Sequence, residues 1–225
     1  MRLAIGALVT GAMLSACTEV PQEPERTEPL TREEALSVFA RLEPVLEADC
    51  KARIRTGNCD FRMQISNDRK LLPDTGVRLA ENGRATLTVP ASLLAYSRSE
   101  DELAFNIAHA ASHRNIGHLA ELRQAALLGG FVGGLKAAEI GGNEEQAQAE
   151  GAALGAVTYI QQSFKRNELQ ADAHATGLLG QAGFDPVAGM NLIGRLPEAA
   201  GVYKNGLGPN KRERFSVIRR AASRG

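Results

Sequence analysis

His109 and His113, in the run His109-Ala110-Ala111-Ser112-His113, are the residues in this chain best placed to do chemistry. On a helix, four residues bring the second imidazole back to within about 40° of the first, so both can reach one ion. A metal held there would polarise a carbonyl or acidify a bound water. The same spacing also fits two bystanders on a polar helix face. A tetrahedral site needs a third protein ligand, and Asn167-Glu168-Leu169-Gln170-Ala171-Asp172 offers one in Glu168. Asp172 follows one turn later, where a carboxylate can orient a ligating histidine. His118 is nine residues past His109, half a turn away, and is expected to be packed or hydrogen-bonded rather than ligating. His174, six residues after Glu168, is likewise assigned a structural role.

Several elements must position these groups. Thr31-Arg32-Glu33-Glu34 is a capping-box pattern, followed by Leu36, Phe39, Leu42 and Leu46 at helical spacing. Pro44 is expected to kink or split that helix. Alternating patterns run from Cys59 to Ile65 and from Val77 to Val89, with Asn82-Gly83 predicting a type I′ hairpin turn. A second capping box, Ser99 to Glu102, starts the histidine helix, which is expected to continue to about Leu127. Gly129 to Ala156 is rich in Gly and Ala and reads either as a lid or helical hairpin, or as a poorly ordered connection. Its apolar core, Ala125 to Leu135, is too short to span a membrane.

Together, the paired histidines, the Glu168-x-x-Ala171-Asp172 run and Gly183-Phe184-Asp185-Pro186 resemble the zinc metallopeptidase family that includes CAAX prenyl protease, HtpX and BepA-like periplasmic proteases. The resemblance covers roughly Arg62 to Ile218. It implies an α+β, mainly α, gluzincin-like domain with a small antiparallel sheet and a metal-binding helix pair. It also implies one Zn2+ held by His109, His113 and Glu168, with Asp172 supporting them. Substrate would add a strand to an edge of the sheet, for which Arg84, Ala85, Thr86, Leu87, Thr88 and Val89 are the candidates.

Two departures bear on activity. Active members carry Glu directly after the first histidine as the general base; here Ala110 occupies that position and no catalytic residue is intact. A C-terminal His-Pro pair is replaced by Gly208-Pro209, although Arg214 keeps its spacing from the proline. Glu102, roughly 10 Å back along the helix, is too distant to substitute. The expectation is a zinc-binding pseudoprotease or peptide-binding adaptor. The alternatives are a slow metalloendopeptidase and a metal-free structural protein.

The N-terminus supplies a location. Arg2 precedes an apolar run from Leu3 to Leu14 with the length of a signal peptide, and Leu14-Ser15-Ala16-Cys17 resembles a bacterial lipobox. The expected organisation is a signal peptide at 1–16, an acylated Cys17 with a Pro/Glu-rich tether at 17–30, and a metallopeptidase-like domain at 31–225. Thr18 after the acylated cysteine favours the outer membrane, facing the periplasm. Cys50 and Cys59 remain, and an even remainder in an oxidising compartment suggests a disulfide.

With 26 basic and 26 acidic residues and no Trp, the chain carries neither the global field nor the stacking surface expected of a nucleic-acid binder. The expected partners are extended or unfolded polypeptide, or an envelope protein complex, with the membrane reached through the lipid anchor.

Overall fold

Thr31 opens the first helix, α1 (Arg32–Arg53), with both halves of the capping box formed. The computed structural model describes residues 28–68, 70–196 and 208–224. The expected signal peptide at 1–16, Cys17 and most of the expected tether lie outside the described residues. Ala35, Val38, Phe39, Leu42, Leu46 and Cys50 form the buried stripe of α1. Leu36, expected in that stripe, lies beside it and is 44% exposed. Pro44 does not split the helix, which runs on without interruption to Arg53. A disulfide between Cys50 and Cys59 ties its last turn to the chain entering the sheet.

The three strands, β1 (Phe61–Ser66), β2 (Gly76–Leu79) and β3 (Ala85–Pro90), form one sheet in the order β1-β3-β2. The sheet is mixed rather than antiparallel: β2 pairs antiparallel with β3, but β1 pairs parallel with it. Alternation shows which side chains face inward, but not which slot a strand takes. After β1 the chain leaves an empty place that β3 later fills.

The strand expected to receive substrate, Arg84 to Val89, is therefore central, with neighbours on both sides, and is not an edge. The free edges belong to β1 and β2. The hairpin turn also differs from the expectation. Gly83 alone takes positive φ, at 78°, and its N–H donates to the Ala80 carbonyl at 2.9 Å. Asn82 instead uses its side chain, accepting from the Arg84 amide at 3.1 Å. One left-handed glycine after an ordinary turn makes the reversal.

After a short helix, α2 (Ala91–Tyr96), comes the central helix α3 (Glu100–Asn115). Ser99 accepts from the Glu102 amide, but the Glu102 carboxylate turns away to the Arg98 amide and Arg195, so only half of the second capping box forms. Leu103, Ala104, Phe105, Ile107, Ala108, Ala110 and Ala111 are all buried. Helix α3 stops at Asn115 instead of continuing to Leu127. Gly117, at φ 93°, redirects the chain into α4 (His118–Ile140). A side chain there would be strained, so the glycine permits the change of axis.

Helices α4 and α5 (Glu144–Ala182) form a helical hairpin, which decides between the two readings of the Gly/Ala segment. Their backbones nearly touch: a Cβ on Gly129 would lie 2.1 Å from the Gly151 carbonyl oxygen. Among the described residues, no helix is long and apolar enough to cross a membrane. The second half of α5 returns to the core beside α3, carrying Glu168 and Asp172. Two shorter helices, α6 (Ala188–Arg195) and α7 (Lys211–Ala222), complete the domain. The result is the mainly helical α+β architecture expected from the sequence.

Candidate metal centre

Helices α3 and α5 bring His109, His113 and Glu168 into one group with their ligand atoms facing each other. His113 Nε2 is 3.2 Å from His109 Nε2 and 3.4 Å from Glu168 Oε1, and His109 Nε2 is 3.3 Å from Glu168 Oε2. A tetrahedral zinc ion with bonds of about 2.0–2.1 Å requires its ligand atoms to be roughly 3.3 Å apart. The three side chains therefore fit such an ion, with one corner left for water or a substrate oxygen.

The outward nitrogens are also engaged. His109 Nδ1 is 2.9 Å from Asp172 Oδ1, so Asp172 stands behind the His109 ring, on the side away from Glu168 and His113. Asp172 is fully buried and is gripped in turn by Arg214, whose Nε and Nη2 donate to its two oxygens at 2.7 and 2.6 Å. Arg214 enters from α7, whose start is fixed by the capping box of Asn210 and Glu213.

His113 is supported differently. Its Nδ1 is 3.1 Å from His118 Nδ1, and His118 Nε2 is 3.0 Å from Gln170 Oε1. With His113 Nε2 kept unprotonated for a metal, its Nδ1–H donates to His118, whose Nε2–H donates to Gln170. One hydrogen-bond chain thus fixes both tautomers. On an unbroken helix His118 would lie half a turn away from the pair. The break at Gly117 brings this side chain back to His113, and the glycine directly before His118 was the signal for it.

Electrostatics favour positive charge at this point. Burial pushes the His109 imidazole down, but the Glu168 and Asp172 carboxylates outweigh it and raise its pKa to about 10. Burial would also raise Glu168, yet His109 and His113 hold it well below the ordinary carboxylate range. Asp172 is likewise lowered against its burial, first by Arg214 and then by His109. A proton on His109 answers the demand of two buried carboxylates, and a divalent cation between the ligands answers the same demand.

Ala110 is 2% exposed and offers only a methyl group. The neighbouring polar groups are committed elsewhere. Asn106 accepts from the Thr75 amide and donates to Asp74, Glu102 binds Arg98 and Arg195, and Ser112 donates to the Ala108 carbonyl. Gly208, in the bend before α7, has no side chain. The central strand residues Ala85, Leu87 and Val89 are buried in the core.

A Ser112–His174–Asp49 arrangement lies on another side of α3, with His174 Nδ1 2.9 Å from Ser112 Oγ and Nε2 3.2 Å from Asp49. It has the order of a nucleophilic triad but not its chemistry. Ser112 is fully buried and its single proton goes to Ala108 at 2.7 Å. The three residues brace α1, α3 and α5, consistent with the structural role expected for His174.

The metal-ready pair of helices and the small sheet define a gluzincin-type metallopeptidase domain. The family model of Peptidase family M48 matches residues 77–222, well over half the chain. The chain belongs to peptidase family M48. No curated protein sequence matches it.

Proposed function

We propose that this chain is a zinc-binding pseudoprotease of family M48, working as a binding module for extended or unfolded polypeptide at the bacterial cell envelope. The observation that carries this reading is the convergence of His109 and His113 with the Glu168 carboxylate, whose two oxygens lie 3.3 and 3.4 Å from the imidazole nitrogens, beside a general-base position occupied by Ala110. When bound, zinc supplies Lewis acidity toward a carbonyl or water oxygen. The chain's own residues hold that position in shape through Asp172, Arg214 and His118, while among the described residues Asn106, Glu102 and Ser112 are engaged elsewhere and Ala110 offers no proton acceptor. Without a base, hydrolysis falls by about 10²–10⁴-fold.

For polypeptide capture, the β2 edge replaces the strand first expected. Asn106, three residues before His109, accepts from the Thr75 amide at 2.8 Å, which fixes the start of β2 against the metal helix. An extended segment adding to that edge would run beside the centre through main-chain hydrogen bonds. The lipobox-like Leu14-Ser15-Ala16-Cys17 motif supports a lipid anchor at Cys17, and Thr18 after it supports placement at the outer membrane.

Metal analysis and turnover measured on the same purified chain test the proposal. The expected result is about one zinc per chain, negligible casein cleavage, and binding of reduced, unfolded polypeptide that weakens when the β2 edge is blocked with proline at Leu79, whose N–H faces away from β3. Protein that stays zinc-free after reconstitution, or that cleaves casein at family-typical rates, would overturn it.

A further inference from the structure

The α4–α5 hairpin is built inside out. Its seam is made of Gly129, Gly133, Gly151 and Gly155, where added Cβ atoms would meet facing carbonyl oxygens at 2.1–2.3 Å. Its large apolar side chains point the other way: Leu127, Leu128, Phe131, Val132 and Leu135 on α4 are 57–66% exposed. A hairpin made for water would place such residues in its seam. This one leaves its large apolar side chains on the outer face of α4, the arrangement that marks an interaction surface.

The sequence of that face indicates what covers it. Arg123, Leu127, Phe131, Leu135 and Glu139 are spaced four apart and form one ridge along α4. The ridge is self-complementary about Phe131. Turned end for end, it sets Phe131 on Phe131, Leu127 on Leu135 and Arg123 on Glu139. Arg123 and Glu139 are both exposed. An isologous contact has this property, in which each residue meets a partner that meets it in return.

A lipid occupant fits less well. The uncharged stretch from Gln124 to Leu135 is about 18 Å long against a hydrocarbon core of about 30 Å. The tip beyond it carries Lys136, Glu139, Glu144 and Glu145, which hydrocarbon would have to accommodate.

We infer that α4 pairs antiparallel with α4 of a second copy of this chain, about a two-fold axis at Phe131, giving a four-helix contact between two hairpins. Neither zinc nor the absence of catalysis enters this inference, and it stands or falls separately from them.

Sedimentation velocity and oxidative cross-linking of the full chain in detergent provide the test. The expected result is a dimer that Phe131→Glu converts to monomer while helix content by circular dichroism is kept. Arg123→Glu and Glu139→Arg should each weaken the dimer by roughly 10-fold, with the combined variant restored to within about 2-fold. Phe131→Cys should cross-link to itself. Leu127→Cys and Leu135→Cys should cross-link efficiently when mixed but poorly alone. A chain that stays monomeric up to about 100 μM, a dimer indifferent to the charge swap, or a monomer that floats with phosphatidylcholine vesicles through Phe131 would overturn the inference.

Discussion

Arg214 holds both oxygens of Asp172, and through that carboxylate it fixes the ring of His109. The pair spans α7 and α5, so the C-terminal helix determines the aim of a ligand on α3. Arg214→Lys keeps the charge but loses the planar two-point grip. Zinc affinity, measured by chelator competition, should fall by about 10–100-fold, as expected when the group behind a ligating histidine is disturbed. Far-UV circular dichroism should remain unchanged. Unaltered affinity would mean that Asp172 needs no second partner to orient His109.

His118 has the corresponding role for His113. His118→Phe keeps an aromatic ring against His113 but removes the acceptor for its Nδ1–H and breaks the connection to Gln170. The expected loss is about 10-fold in zinc affinity, with a shifted visible spectrum in the cobalt-substituted protein as His113 rotates. Gln170→Ala should show a smaller loss in the same direction. A spectrum identical to that of the parent protein would contradict the hydrogen-bond chain.

These two relationships also show how far the residues could be read without coordinates. His109, His113, Glu168 and Asp172 were visible because helical periodicity links residues a turn apart and leaves a recognisable spacing. Arg214 was visible only as a kept interval after Pro209; its contact with Asp172 depends on where α7 docks. His118 is packed and hydrogen-bonded, as its spacing suggested, but its contact with His113 is not legible from an unbroken helix because Gly117 changes the axis. Alternation marks Arg84 to Val89 as a strand but carries no information on strand order, so its central place follows only from β1 and β2 pairing on either side of it. The hairpin is not legible in Gly129 to Ala156, since Gly and Ala that pack backbone to backbone have the same composition as Gly and Ala in a loose connection.

Restoring the missing base tests whether the rest of the centre is catalytically arranged. Ala110→Glu places a carboxylate directly after His109. In zinc-loaded protein it should raise turnover of a fluorogenic casein by about 10²–10⁴-fold over the parent background. Adding Gly208→His should raise it further, while Glu168→Gln in the same background should abolish it. Because Ala110 is 2% exposed, zinc content and melting temperature must be followed alongside activity. Full zinc loading without turnover would place the defect beyond the two absent groups.

The buried brace on the other side of α3 gives the fold a defined acid sensitivity. Burial would raise Asp49, but hydrogen bonds from His174, Arg53 and Asn115 hold it at about 2. Its unfolded value is about 3.9. A folded pKa below the unfolded one means that the stabilisation is complete above about pH 4 and is lost as pH falls through about 2. Metal-free parent protein should therefore lose melting temperature more steeply between those limits than Asp49→Asn does. Solvent at the rim of the site keeps the difference to about 1 kcal/mol. Parallel curves for the two proteins would show that the brace does not depend on the charge of Asp49.

Two glycines on α5 should respond oppositely to the same substitution. Gly151 lies in the hairpin seam, where a Cβ would meet the Gly129 carbonyl oxygen at 2.3 Å. Gly177 is further along the helix, exposed, with no atom within 4 Å of the added carbon. Gly151→Ala must push the two backbones apart, so amide exchange along Gln124 to Leu135 should accelerate. Zinc binding should be kept, because Glu168 lies on the other half of α5. Gly177→Ala meets no obstacle and restricts the unfolded chain, so it should stabilise the protein by about 0.5–1 kcal/mol. Equal effects at the two positions would mean that close contact along the seam does not hold the hairpin together.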